Sequence, residues 1–152
     1  MADPGARYIL IIDDDHAGLL ALSEALRIRL DNITVHTAST AENGLSRLET
    51  VEYDLVICDV RLPGMDGLSV LKEVQARRPD TPVVIVTAGA LEREEQALYG
   101  GAYAFIEKPL QISHFISVVE HALDRTDLAR RVKEENAKSV SRLGAHGGLL
   151  SR

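Results

Sequence analysis

Five short apolar runs alternate with segments of helical periodicity, and this alternation constrains the fold more than any other feature of the chain. The runs occupy residues 8–12, 34–38, 55–58, 83–86 and 104–106. Most are continuous and rich in β-branched residues, which is typical of strands buried on both faces of a parallel sheet. Strands that alternate with helices predict right-handed crossovers and helices on both sides of the sheet. We therefore predict a doubly wound α/β fold with five parallel strands.

The segments between the runs support this prediction, because their apolar residues recur at intervals of three or four. The marker residues are Leu19, Leu22, Leu26 and Leu30 in the first helix, Leu45 and Leu48 in the second, Leu68, Leu71 and Val74 in the third, and Ile112, Phe115, Val119 and Leu123 in the fifth. Ser39 or Thr40 is the expected N-cap of the second helix. The fourth helix, expected at residues 91–99, is short and polar.

Polar side chains follow four of the predicted strands. They are Asp13, Asp14 and Asp15 after the first strand, Asp59 after the third, Thr87 after the fourth and Lys108 after the fifth. Binding sites of doubly wound sheets lie beyond the carboxyl ends of the strands. We therefore expect these residues to converge at one edge of the sheet, with Asp15 serving as a helix cap or a solvated acid.

The predicted cluster combines carboxylates, a hydroxyl and an ammonium, a combination that suits phosphoryl transfer. Carboxylates that share a pocket repel one another unless a cation lies among them, and oxygen ligands suit Mg²⁺. One carboxylate can attack a phosphoryl group and form an acyl phosphate. The hydroxyl and the ammonium can then bind the phosphoryl oxygens.

Four motifs, in this order and spacing, resemble the receiver domain of two-component response regulators, the CheY-like superfamily. They are Ile-Ile-Asp-Asp-Asp (11–15), Val-Ile-Cys-Asp-Val-Arg-Leu-Pro-Gly-Met-Asp-Gly (56–67), Val-Val-Ile-Val-Thr-Ala (83–88) and Gly-Ala-Tyr-Ala-Phe-Ile-Glu-Lys-Pro (101–109). The resemblance covers residues 7–125 and implies a flavodoxin-like (βα)5 fold with strand order 2-1-3-4-5. Residues 126–152 are then a helical extension or linker with a flexible tail; we expect residues 128–137 to extend the fifth helix and residues 144–148 to be flexible.

The resemblance implies a phosphoacceptor and a metal site. Asp59 matches the phosphoacceptor of the family. Asp13 and Asp14 match the acidic pair that binds Mg²⁺ together with the acceptor, with Asp14 the more direct ligand. The backbone carbonyl of Arg61, two residues beyond the acceptor, matches a further ligand. Arg61 and Gly89 occupy positions that influence the lifetime of the phosphoryl group, and we predict slow self-dephosphorylation.

The resemblance also implies a switch. Thr87 and Lys108 match the hydroxyl and the lysine that bind the phosphoryl group, and the Lys108–Pro109 bond is expected to be cis. Phe105 matches the aromatic residue that moves with Thr87 on phosphorylation. The implied function is to accept a phosphoryl group from a sensor histidine kinase and to reshape the face of helix four, strand five and helix five. That face would control an output domain or downstream protein, and it is the first candidate for a homodimer contact. The only catalysis implied is of the domain's own phosphorylation and dephosphorylation.

Two other interpretations remain open. Asp13-Asp14-Asp15 also satisfies the Asp-x-Asp motif of haloacid-dehalogenase-type phosphatases, with Asp13 as the nucleophile, although the loop after Asp59 would then have no role. A degenerate receiver that acts only as a binding module is the other interpretation. The intact acceptor, acidic pair and Lys108 argue against it.

Charge and composition exclude several other classes of protein. The net charge is -6, and the only basic region is residues 126–152, with six Lys/Arg against three Asp/Glu, so we expect no direct binding of nucleic acid. No apolar run approaches the roughly 20 residues that span a bilayer. The single cysteine, Cys58, has no disulfide partner, and we interpret it as a small buried hydrophobic residue. We therefore expect a cytoplasmic protein that does not bind membranes.

Overall fold

The computed structural model describes residues 5–88, 96–98 and 100–146, with side chains as far as residue 140. The five strands are β1 (Arg7–Ile12), β2 (Ile33–Ala38), β3 (Leu55–Cys58), β4 (Val83–Thr87) and β5 (Ala104–Glu107). The helices are α1 (His16–Arg29), α2 (Ala41–Thr50), α3 (Gly67–Arg77), a helical turn at residues 96–98 that we name α4, and α5 (Ile112–His146).

The strands form one parallel sheet in the order β2-β1-β3-β4-β5. This confirms the predicted fold class and the strand order 2-1-3-4-5. Each observed strand lies within one residue of its predicted bounds. β4 and β5 end one residue later than predicted, at Thr87 and Glu107, which are paired with each other. Backbone pairing continues there because the ladder uses N–H and C=O groups and does not require apolar side chains.

Each central strand is buried on both faces, which explains why its sequence is continuously apolar. Ile9 and Ile11 pack against α1 and α5, whereas Leu10 and Ile12 pack against α2 and α3. This alternation follows from the two-residue period of a strand. Burial of side chains of this size stabilises the fold by roughly 1.5–3 kcal/mol each. The packed sheet therefore fixes the positions of the residues at the ends of its strands.

Side-chain caps fix the starts of two helices that pack on the sheet. Thr40 is the N-cap of α2, one of the two residues predicted, and its hydroxyl accepts the N–H of Asn43 at 3.1 Å. Asp66 caps α3 by accepting the N–H groups of Leu68 and Ser69. Of the predicted fourth helix, residues 96–98 are helical, and residues 91–95 and 99 lie outside the described part of the chain, as does Gly89.

The last helix is longer than its amphipathic pattern predicted. Residues 128–137 extend α5 as expected, but residues 144–146, expected to be flexible, are also helical; residues 147–148 lie outside the described chain. Lys, Glu, Arg and Ala favour helix through this segment, and propagation adds a hydrogen bond for each residue fixed. Within the described residues, none of the helices is both long enough and apolar enough to cross a bilayer.

Candidate functional site

Backbone hydrogen bonds hold the predicted site residues at the carboxyl edge of the sheet. They continue the ladders one residue beyond β1, β3 and β5. The bonds run from the N–H of Asp13 to the carbonyl of Ala38 (3.1 Å), from Asp59 to Ile12 (3.0 Å) and from Lys108 to Thr87 (2.9 Å). Asp13, Asp59 and Lys108 are therefore placed by the sheet itself, and the Lys108–Pro109 peptide bond is cis, as expected.

Lys108 joins the two buried carboxylates. Its Nζ lies 3.0 Å from Oδ2 of Asp13 and 3.1 Å from Oδ2 of Asp59. The other oxygen of each carboxylate accepts a backbone N–H, from Asp15 at 3.0 Å and from Arg61 at 2.9 Å. Both carboxylates are thus held by two donors each, and charge-assisted bonds of this kind fix orientation strongly.

The donor set around Asp59 fits a hard divalent cation. Carboxylate oxygens of Asp13, Asp14 and Asp59 lie within 4.8 Å of one another, with Asp14 exposed and the other two buried. Three carboxylates face one ammonium, that of Lys108, so the cluster has an excess of negative charge. An all-oxygen, anionic set suits Mg²⁺. Asp13, Asp14 and Asp59 would hold such an ion, whereas the role of the Arg61 carbonyl stays a prediction.

The electrostatics of the cluster favour binding of a further cation beside Lys108. Burial raises the pKa of Asp13, although the Asp15 N–H and Lys108 partly oppose this rise. Burial alone would lower the pKa of Lys108, but its hydrogen bonds to Asp13 and Asp59 outweigh that effect and raise the pKa. Lys108 is therefore charged at neutral pH, and a bound cation would relieve the cost of ionising Asp13.

Thr87, the last residue of β4, is buried together with its hydroxyl. The residue is 1% exposed, and its Oγ makes no hydrogen bond with any of the described residues. Such a group costs free energy until it finds a partner. Phe105 is half-buried and packs on the side of the sheet covered by α2 and α3. The register pairs Ile85 with Phe105, so alternation places Thr87 and Phe105 on the same face.

The loop after Asp59 returns to touch the acceptor, which the sequence did not reveal. Gly67 donates its N–H to the carbonyl of Val60 at 2.8 Å. A Cβ at position 67 would lie 2.7 Å from the Cα of Val60 and would overlap the Asp59 carbonyl. The residue pattern does not predict this close approach, because it depends on how the loop folds back. Cys58 is fully buried, as predicted, and burial raises the pKa of its thiol.

Comparison with known proteins identifies the family to which this fold belongs. The response regulator receiver domain family matches residues 9–120. The transcriptional regulatory protein ZraR of Salmonella typhimurium is 33% identical over 143 residues, which cover 93% of this chain and 31% of ZraR. The C4-dicarboxylate transport transcriptional regulatory protein DctD of Rhizobium meliloti is 33% identical over 132 residues, covering 86% of this chain and 27% of DctD. The matched part of the chain spans less than a third of the length of these curated relatives.

Solved structures of response regulators also resemble this chain. A CheY-like receiver domain protein from Methanospirillum hungatei is 30% identical, with a TM-score of 0.77 and coverage of 82% of this chain and 99% of that one. NtrX from Brucella abortus, solved with ADP, is 33% identical, with a TM-score of 0.77 and coverage of 84% and 29%. The family match includes the Asp59 loop, for which the phosphatase alternative offered no role. The chain belongs to the response-regulator receiver domain family of two-component systems.

Proposed function

We propose that Asp59 accepts a phosphoryl group from a sensor histidine kinase while Asp13, Asp14 and Asp59 hold Mg²⁺. The observation that supports this most is the environment of the Asp59 carboxylate. It lies 3.1 Å from the Lys108 ammonium and within 4.8 Å of two other carboxylates. Membership of the receiver family supports the same assignment.

The chemistry follows from this arrangement. An oxygen of Asp59 attacks phosphorus and forms an O–P bond, while the bond from phosphorus to the donor breaks and the donor keeps the electron pair. Lys108 can turn from the carboxylates to the new phosphoryl oxygens, since its ammonium already lies beside Asp59. Asp13, Asp14 and Asp59 would hold Mg²⁺, which would supply charge neutralisation for the transfer. The domain catalyses only its own phosphorylation and dephosphorylation in this proposal.

The same proposal assigns a switch to Thr87 and Phe105. The phosphoryl group adds about -1.5 to -2 charges and strong acceptors. The Thr87 hydroxyl, which bonds to none of the described residues, can donate to one of these acceptors, and the space it leaves is on the face of the sheet where Phe105 packs. A shift of both residues would bias the face formed by α4, β5 and α5 between two states.

We propose that this α4-β5-α5 face controls an output domain or a downstream protein. The relatives are transcriptional regulators about three times as long as this chain. A homodimer through that face is part of the proposal, because the beryllofluoride-activated NtrC4 receiver domain, 25% identical with a TM-score of 0.73, is a dimer. We propose a cytoplasmic location, which suits a receiver with one buried, unpaired cysteine.

The test is phosphorylation of the full chain by acetyl phosphate with Mg²⁺, followed by intact-mass measurement and mapping of the modified residue. We expect an adduct of about 80 Da on Asp59. It should be lost in Asp59→Asn and kept in Asp31→Asn, a control at an exposed acid outside the site. An adduct on Asp13 with turnover of many phosphate esters would support the phosphatase. No adduct under any condition would support the degenerate binding module.

A further inference from the structure

The amino edge of the sheet, opposite the phosphoacceptor site, contains a buried carboxylate that the proposed chemistry does not use. Asp54 immediately precedes β3, and its side chain is 2% exposed. Its Oδ2 accepts the N–H of Tyr8 at 2.6 Å, and its own N–H donates to the carbonyl of Tyr8 at 2.7 Å. Asp54 therefore ties the start of β3 to β1.

Two residues of α5 converge on the same aspartate. The hydroxyl of Thr126 donates to the backbone carbonyl of Asp54 at 2.8 Å, and Thr126 is buried. Arg130, one turn further along, forms an ion pair with Oδ1 of Asp54 and lies 3.6 Å from the carboxylate of Glu52. Residues four apart lie on one face of a helix. One face of α5 is thus fastened to this edge of the sheet.

Two surface ion pairs flank this contact. Asp127 pairs with Arg7 at 3.3 Å, and Lys133 pairs with Asp80. In both pairs each side chain is at least 26% exposed, whereas Asp54 is 2% exposed, so each pair contributes little by itself. They show, however, that α5 follows the edge of the sheet as far as Lys133.

We propose that Asp54 and Arg130 form a latch that makes residues 126–133 part of the folded receiver domain rather than a linker. The domain then ends near Lys133, not at residue 125 as the sequence predicted, and any flexible joint lies beyond that residue. The 35 residues of α5 make it about 52 Å long. The helix therefore runs from the edge of the sheet that carries Lys108 past the opposite edge. Its use in transmitting phosphorylation rests on the proposed function, whereas the latch itself does not.

The physical reason for a latch is the cost of an unpaired buried charge. The Asp54 side chain is 2% exposed, whereas that of Arg130 is 39% exposed. Removal of Arg130 would leave this buried carboxylate with no cation of the described residues in direct contact, which is unfavourable. The neighbouring Arg131 provides a matched control. It is exposed and makes no ion pair within the described chain.

The test is hydrogen exchange measured by mass spectrometry on the full chain, without a phosphoryl donor. We expect backbone amides of residues 126–133 to exchange about tenfold faster in Arg130→Ala, because local opening of this segment becomes easier. Arg131→Ala should leave the exchange rates unchanged. Equal rates in the two variants would overturn the latch.

A second variant separates the latch from general destabilisation. Asp54→Asn keeps an acceptor for the Tyr8 N–H but removes the charge, so it should also accelerate exchange of residues 126–133. Adding Arg130→Ala to Asp54→Asn should then have almost no further effect, since the two residues act as a pair. If the increases in exchange rate of the two single variants multiply in the double variant, the two residues act independently and the proposal is overturned. Because Asp59 is intact and no phosphoryl donor is present, the result is independent of whether Asp59 is phosphorylated.

Discussion

Replacement of Thr87 by valine tests whether the switch hydroxyl is held without a partner before phosphorylation. Thr87 is 1% exposed, and its hydroxyl has no hydrogen bond to the described residues. Valine has nearly the same shape and replaces the hydroxyl with a methyl group. A buried hydroxyl without a partner costs about 1–3 kcal/mol. Thr87→Val should therefore raise the free energy of unfolding of the unphosphorylated domain by about that amount.

The assay is urea unfolding followed by circular dichroism. The midpoints of the two proteins can be compared directly when the free energy of unfolding depends on urea concentration with the same slope in both. For a domain of this size the change corresponds to roughly 2–4 °C in Tm per kcal/mol. Thr126→Val is the matched control. Thr126 is equally buried, but its hydroxyl donates to the carbonyl of Asp54 at 2.8 Å. Loss of that bond should lower the free energy of unfolding by about 1 kcal/mol.

A neutral or destabilising Thr87→Val would refute the reasoning, because it would mean that the hydroxyl already has a partner in the folded domain. A second measurement links the result to function. Acetyl phosphate with Mg²⁺ should stabilise the unsubstituted chain more than Thr87→Val, since only the former can donate to the phosphoryl oxygens. An equal gain in stability in both proteins would show that Thr87 does not bind the phosphoryl group.

Three further outcomes follow from the site. Because the folded-state pKa of Asp13 is raised, its contribution to stability is full below the unfolded-state pKa and is lost as pH rises through the folded-state pKa. Thermal unfolding should therefore show Mg²⁺ stabilising the chain more near pH 7 than near pH 4, a difference reduced in Asp13→Asn. Gly67→Ala should cost about 1–3 kcal/mol in urea unfolding and slow adduct formation on Asp59, because the added Cβ lies 2.7 Å from the Cα of Val60; normal stability would contradict that contact. Arg61→Ala should shorten the lifetime of the acyl phosphate, measured by loss of the adduct, if the arginine shields it; a half-life of seconds that the substitution lengthens would contradict this.

The sequence by itself determined the fold class and the chemical type of the site. Both depend on local properties, namely the period of apolar residues and the identity of the residue that follows each strand. The runs at 8–12 and 55–58 predicted β1 and β3 to within a residue. The residues that follow parallel strands all lie at the carboxyl edge of the sheet. The sequence therefore predicts that Asp13, Asp59 and Lys108 lie close together.

The tertiary structure decided which of these groups touch and which are left without partners. The bond between Lys108 and Asp13 joins residues 95 apart in sequence, and its length depends on packing that no local pattern specifies. The sequence likewise did not show that the Thr87 hydroxyl bonds to none of the described residues, or that Asp54 pairs with Arg130. Threonine, aspartate and arginine are common at ordinary surface positions, and only burial gives them a cost or a partner. Burial is a property of the whole packed chain, and for that reason it required the structure.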